Sequence, residues 1–182
     1  LTETEAEKKG FVDRAKLLDI QGRSRKPQFK LAEEFNIKDF PCPAGGCLLT
    51  YKEYAVKLRD LFKHKKNVSM ADVTLLKFGR HFRFGNNKII VGRNEKENKF
   101  LTARKTKSEY SFELPDIVGP ITILQGPKTK KAIETAAGLT AFYSDAKTGQ
   151  VKVNFGRESL DKSVVAAVPS RVDVDKLRVG SK

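Results

Sequence analysis

The sequence predicts an α+β chain: a short helical N-terminal arm, then a mixed-sheet α+β domain. Three observations carry this. Apolar residues recur at helical spacing in the first third, notably Phe29 and Ala32, then Tyr54, Leu58, Leu61 and Phe62. From about Asp72 the texture changes to short runs rich in β-branched and aromatic residues, two of them flanking the turn sequence Gly85-Asn86-Asn87. Between the later runs lies a helical stretch from Pro127 to Tyr143, with Ile133, Ala136, Ala137, Thr140 and Ala141 near one face.

In order, residues 1–20 read as a polar lead with Phe11, Val12, Leu17, Leu18 and Ile20, a short helix or docking segment. A short amphipathic helix is expected from Lys26 to Phe35, stopped at Asn36-Ile37. The segment Pro41-Cys42-Pro43-Ala44-Gly45-Gly46-Cys47 must be a loop, because its prolines remove backbone donors and its glycines permit tight turns. Thr50, with Glu53 at the capping-box position, then starts a helix running to Lys63, and the residues after it look like a hinge. This places a domain boundary between 66 and 67. Strands are expected at Val73 to Phe78, His81 to Phe84, Lys88 to Val91, Tyr110 to Leu114, Ile121 to Leu124, Val151 to Phe155 and Val164 to Val168.

The chain has 182 residues, of which 39% are hydrophobic and 32% charged, a profile that buries a core without staples. No apolar run reaches the roughly 18 residues of a membrane span. Lys and Arg number 36 against 22 Asp and Glu, a formal charge of +14, which favours polyanionic partners through counterion release. Two cysteines and no signal peptide argue for a reducing cytoplasm and against a disulfide framework. The sequence opens at Leu1, without an initiator Met, as expected of a piece of something longer.

Charge concentrates between Lys77 and Lys107, interleaved with Phe78, Phe82, Phe84 and Phe100. An exposed phenylalanine there would stack on a base, whereas strand alternation sends most of them to the core. Two polar segments flank the hairpin: Gly79-Arg80-His81-Phe82-Arg83 and Gly92-Arg93-Asn94-Glu95-Lys96-Glu97-Asn98. Arg80, Arg83, Arg93 and Lys96 suit phosphate. Asn94 and Asn98 suit a 2′-hydroxyl or base edge, or else hold a turn. His81 has no partner at metal spacing and reads as a hydrogen-bonding or phosphate-contacting side chain. Arg23 and Arg25 form a second basic cluster before the first amphipathic helix, which is equally a solvated helix start. Cys42 and Cys47 are the candidate nucleophiles, as a sulfur relay, a redox pair or inert loop thiols, and no metal site is expected.

Two stretches of the chain resemble known families. Leu17 to Leu61, through Ile20-Gln21-Gly22-Arg23-Ser24-Arg25-Lys26-Pro27-Gln28, Leu31-Ala32 and Pro43-Ala44-Gly45-Gly46-Cys47-Leu48-Leu49-Thr50, resembles the tail of the PP-loop ATPase module of ThiI-like tRNA thiouridylases. From Val73 onward the chain resembles the NFACT-R type RNA-binding domain, through Gly79 to Arg83, Ile89 to Asn98, Ala136-Ala137, Tyr143-Ser144 and Val151-Lys152-Val153. Together they imply the tRNA-holding portion of a tRNA-modifying protein, with ribosomal RNA as the other candidate ligand. They also imply ATP and an upstream PP-loop ATPase domain outside these residues, a sulfur donor protein as a further partner, and Cys47 as a persulfide carrier in the transferase reading. The sequence departs from both families: it has no Ser-Gly-Gly-x-Asp-Ser loop, so no ATP is expected on these residues. Where NFACT-R relatives have Asp-Leu-Trp-Phe-His, it reads Glu109-Tyr110-Ser111-Phe112-Glu113.

Overall fold

The computed structural model describes residues 2–22, 24–39, 47–146 and 149–180. It divides into two compact units, Leu1–Gly45 and Gly46–Lys182. This division falls before the 66/67 boundary expected from the sequence. The helix after Thr50 belongs to the second unit, where it packs through a cluster of Tyr54, Leu61 and Leu76.

The first unit has two α-helices among its described residues, α1 (Glu5–Lys8) and α2 (Lys26–Glu34), with a short 3-10 helix at Arg14–Lys16 between them. Thr4 and Glu7 close a reciprocal cap on α1, and Arg14 folds back onto the Glu7 carboxylate. Pro27 sits in the first turn of α2, where its missing N–H costs nothing, and Asn36 takes a positive φ of 52° just past the helix end. No described residue of this unit is buried; Phe11 is 79% and Phe35 70% exposed.

The second unit runs α3 (Lys52–His64), α4 (Met70–Leu75), β1 (Arg80–Phe84), β2 (Asn87–Val91), α5 (Glu95–Arg104), β3 (Tyr110–Glu113), β4 (Thr122–Gln125), α6 (Lys130–Phe142), β5 (Gln150–Gly156), β6 (Lys162–Ala167) and α7 (Arg171–Leu177). The α+β class holds. The six strands form one sheet in the order β1-β2-β4-β3-β5-β6, and every pairing is antiparallel. Gly85 and Asn86 make the two-residue turn between β1 and β2, with Phe84 opposite Asn87.

Side chains alternate across each strand, so the sheet has two differently furnished faces. One carries Phe82, Ile89, Phe112, Leu124, Val153 and Phe155 against α6. The α6 face is built from Ala132, Ala136 and Ala137, whose small side chains let the helix approach closely. Burying a side chain such as Phe82 or Leu124, both 0% exposed, contributes about 2 kcal/mol. The buried hydroxyls of Thr140 and Thr122 meet at 2.9 Å, so neither is stranded in this core. On the other face Ile90 and Ile123 receive Leu101 of α5.

Two segments depart from expectation. Val73 to Phe78 is not a strand: Ser69 and Asp72 form a capping box and start α4, and that local signal outweighs the apolar alternation. The polar stretch after Gly92, where only a turn was expected, opens a helix: Asn94 caps α5 by accepting from the Glu97 amide. The helix at Thr50 begins slightly later, at Lys52, without a side-chain cap.

Candidate nucleic-acid interface

Where β1 begins and β2 ends, one carboxylate joins the two polar segments. Glu97 Oε2 accepts from the Gly79 amide at 3.1 Å and the Arg93 amide at 3.0 Å, while Arg93 Nε donates to Oε1 at 2.9 Å. Burial pushes the Glu97 carboxyl up, but the Arg93 guanidinium and the two amides outweigh it and hold the group below its usual range. Glu97 therefore fixes both Gly-Arg turns to the first turn of α5.

The glycines serve this packing. Gly79 has φ +74°, and a Cβ there would lie 2.8 Å from Ile90 Cγ2 and 2.9 Å from the Val91 carbonyl oxygen. A Cβ on Gly92 would lie 2.0 Å from Asn98 Oδ1, the oxygen that accepts from the Ile121 amide. Gly79→Ala is expected to cost about 2 kcal/mol in urea unfolding through strain and crowding together. A variant as stable as the parent would mean that the turn relaxes freely.

Arg80 starts β1 with its guanidinium 4.5 Å from the Tyr143 ring centroid and Nη1 donating to the Gly92 carbonyl at 3.3 Å. Beyond α7 the chain pairs with the outer edge of β1. Arg178 bridges to Phe82, the Val179 amide donates to the His81 carbonyl at 2.9 Å, and Arg178 Nη2 lies 3.5 Å from the Tyr143 hydroxyl. Lys57 of α3 completes the set. Together Glu53, Lys57, Gly79, Arg80, His81, Arg93 and Arg178–Gly180 line a cavity of about 260 Å³.

Four of those side chains are cationic and one is a carboxylate. Burial lowers the Lys57 pKa and the Arg93 charge lowers it further, against Glu53 and Glu97; burial also lowers that of Arg80, with Arg178 and Arg93 adding to the effect against opposing contributions from Tyr143 and Glu97. Such mutual repulsion in a half-enclosed space is relieved by an anion.

His81 is 1% exposed and does not present its ring to solvent. Its Nε2 lies 2.7 Å from the Phe78 carbonyl, which fixes the proton there, and Nδ1 is buried without a hydrogen-bond partner. Burial, then the charges of Lys88 and Lys57, hold its pKa well below the ordinary value, so the ring is neutral.

Other expected residues lie elsewhere. Arg83 points to the opposite face from Arg80, as strand alternation requires, and forms a two-pronged pair with Asp60 of α3 at 3.1 and 2.5 Å. Asn94 and Asn98 hold the backbone of α5 and its neighbour, and Lys96 is exposed outside the cavity. Arg25 is exposed in the first unit, and Cys47 is an exposed free thiol. Arg23 and Cys42 lie outside the described residues. Of the phenylalanines, Phe82 is buried in the core, Phe84 packs against it, and Phe78 and Phe100 stack on each other. Lys57 and Arg178 were not expected: they come from distant parts of the chain and only tertiary packing brings them to Arg80. No described helix is long and apolar enough to cross a membrane, and no described group of three His, Cys, Asp or Glu residues is placed to hold a metal ion.

An antiparallel sheet backed by helices, with a cation-lined cavity at one end, defines a polyanion-binding α+β domain. The model of the NFACT protein RNA binding domain matches residues 79–173, more than half of the chain, and the chain belongs to that family. It is an RNA-binding domain. No curated protein matches it. Among solved structures, the C-terminal part of the fibronectin/fibrinogen-binding protein from Streptococcus suis is similar at 16% identity, over 85% of this chain and 72% of that one, with a TM-score of 0.51. At that identity the likeness concerns the fold alone.

Proposed function

We propose that the cavity bounded by Lys57, Arg80, Arg93 and Arg178 receives the phosphate backbone of the bound RNA, and that the RNA is transfer RNA. The observation that carries the first part is the convergence of four cations from separate elements on one cavity, with Lys57 and Arg80 lowered by burial and by their cationic neighbours. Arg80 is held over the Tyr143 ring, which leaves its fork pre-organised for a phosphate oxygen. Neutral His81 contributes structure at the cavity floor in this reading.

The assignment to transfer RNA, and to a modifying protein with an ATP-dependent upstream module, rests on the resemblance of residues 17–61 to a thiouridylase tail. Competition between tRNA and ribosomal particles for the protein separates this from a ribosomal ligand. Persulfide formation at Cys47 on exposure to a cysteine desulfurase, read by mass, tests the transferase reading.

The phosphate assignment is tested with Lys57→Gln/Arg80→Gln, which leaves the Glu97 to Arg93 pair intact. Binding to tRNA is measured across a salt series. The double variant is expected to bind at least about tenfold more weakly at low salt, with a log–log salt slope shallower by about 1.4 to 1.8 for two lost contacts. A parental slope in the variant would remove both residues from the interface.

A further inference from the structure

The other end of the sheet gathers a second set of cations. In the antiparallel register Tyr110 lies opposite Leu124, Ser111 opposite Gly156, and Phe155 opposite Lys162. The start of β3, the segment after β4, the segment after β5 and the start of β6 therefore meet there. They bring Lys128 Nζ, Arg157 Cζ and Lys162 Nζ to 5.4, 5.6 and 5.8 Å from the Tyr110 ring centroid.

No ion pair engages any of these three among the described residues. Of the nearby acids, Glu109 accepts from the Thr106 amide and Gln125 Nε2 and its charge also acts on Lys128, Glu158 lies 3.9 Å from Lys107, and Asp161 lines the cavity, so the acids offset only part of the positive charge. Lys128 is pinned by the Leu124 and Gly126 carbonyls, at 2.7 and 2.9 Å. Lys105 is tied in turn to the Arg157 carbonyl. Beside the ring opens a shallow cavity of about 640 Å³, lined by Lys107, Arg157 and Lys162 together with Glu158 and Asp161.

Tyr110 is only 9% exposed and carries cations around its ring, so it is no platform for a base. Its negative face holds the cations in place. Three like charges held this close repel one another, and an anion seated among them reverses the sign of the local energy. The sequence of this patch, with Lys105, Lys107, Lys128, Arg157 and Lys162 scattered over almost sixty residues, gives no local sign of it.

We infer that the cluster of Lys128, Arg157 and Lys162 around Tyr110 is a second phosphate-contact point for the RNA held at Arg80, so that one strand is gripped at both ends of the sheet. Arg80 opens the first strand in the sheet order and Tyr110 belongs to the fourth, at the opposite end of the strands. Arg80 is in register with Val91, Thr122 and Phe112, so three strand spacings across and two residues along separate it from Tyr110 by roughly 16 Å. A single phosphate cannot serve both, whereas a short oligonucleotide can.

The inference rests on the RNA-phosphate reading of the Arg80 cavity, and the experiment separates the two. Lys128→Gln/Arg157→Gln/Lys162→Gln is compared with a charge-matched control, Lys99→Gln/Lys152→Gln/Lys176→Gln, whose three lysines lie outside both clusters. The probe is single-stranded RNA longer than about 16 nucleotides. The cluster variant is expected to bind about tenfold more weakly than the control, with a salt slope shallower by about 2 for three lost contacts. Arg157→Gln/Lys162→Gln, which spares the pinned Lys128, is expected to show an intermediate loss, so a folding defect at Lys128 does not decide the result. If the cluster variants match the control while Lys57→Gln/Arg80→Gln stays defective, the second contact point is wrong and the first stands. If the parental protein binds no RNA in this assay, both fall.

Discussion

Glu97→Ala is expected to lower the unfolding free energy by about 3 kcal/mol at pH 7. The Glu97 side chain is 10% exposed and is the shared acceptor for the Gly79 amide, the Arg93 amide and the Arg93 guanidinium. Truncation strands two backbone donors and one cation in a part-buried place, which costs more than the pair itself contributes. The pH dependence has a definite sign. The folded-state carboxyl lies below its ordinary value near 4.5, so its contribution is complete above that pH and is lost as pH falls through the folded value. Urea unfolding from pH 7 downward should show the parent and variant converging in acid. A constant gap between them at every pH would mean that Glu97 acts by shape alone.

Lys88→Met is expected to act in the opposite direction and raise stability at pH 7 by about 2 kcal/mol. Lys88 is 6% exposed and lines a cavity between helices α3 and α4 and the sheet, where burial lowers its pKa to about 8 against the favourable charge of Asp60. The ammonium is charged in both folded and unfolded chains at pH 7, and the desolvation cost is then fully present. Between about pH 8 and 10.5 the folded protein gives up the proton before the unfolded chain does, so parental stability rises with pH across that window. The advantage of the Met variant should shrink over the same interval. A variant no more stable than the parent at pH 7 would show that Lys88 is well solvated.

The hairpin of β1 and β2 was readable because its signals are local: alternation on both strands and a two-residue turn between them. The same holds for α6, whose alanines fall on one face. Two helices were hidden for different reasons. In α4 the apolar residues alternate as in a strand, and only the Ser69 to Asp72 cap betrays the helix. In α5 Leu101 is the lone apolar residue fully buried, so a highly charged helix shows little periodicity. At the cavity, Arg80 and Arg93 were legible from their glycines, although those glycines answer to packing against Val91 and Asn98. Lys57 and Arg178 lie outside the residues matched to the RNA-binding family and carry no motif of their own. Grouping Arg83 with Arg80 failed on strand alternation, which sends neighbours three apart to opposite faces.

The pairing of Arg178 and Val179 with the edge of β1 also fixes the order in which the molecule can be finished. The hairpin bearing Arg80 needs only local contacts and can fold early during synthesis. Its outer edge and the wall supplied by Arg178 and Gly180 wait for nearly a hundred further residues. A nascent chain halted after α6 thus displays Arg80 on an open strand edge, with Arg93 beyond β2 held to Glu97, while the enclosed cavity exists only once the segment beyond α7 has been made.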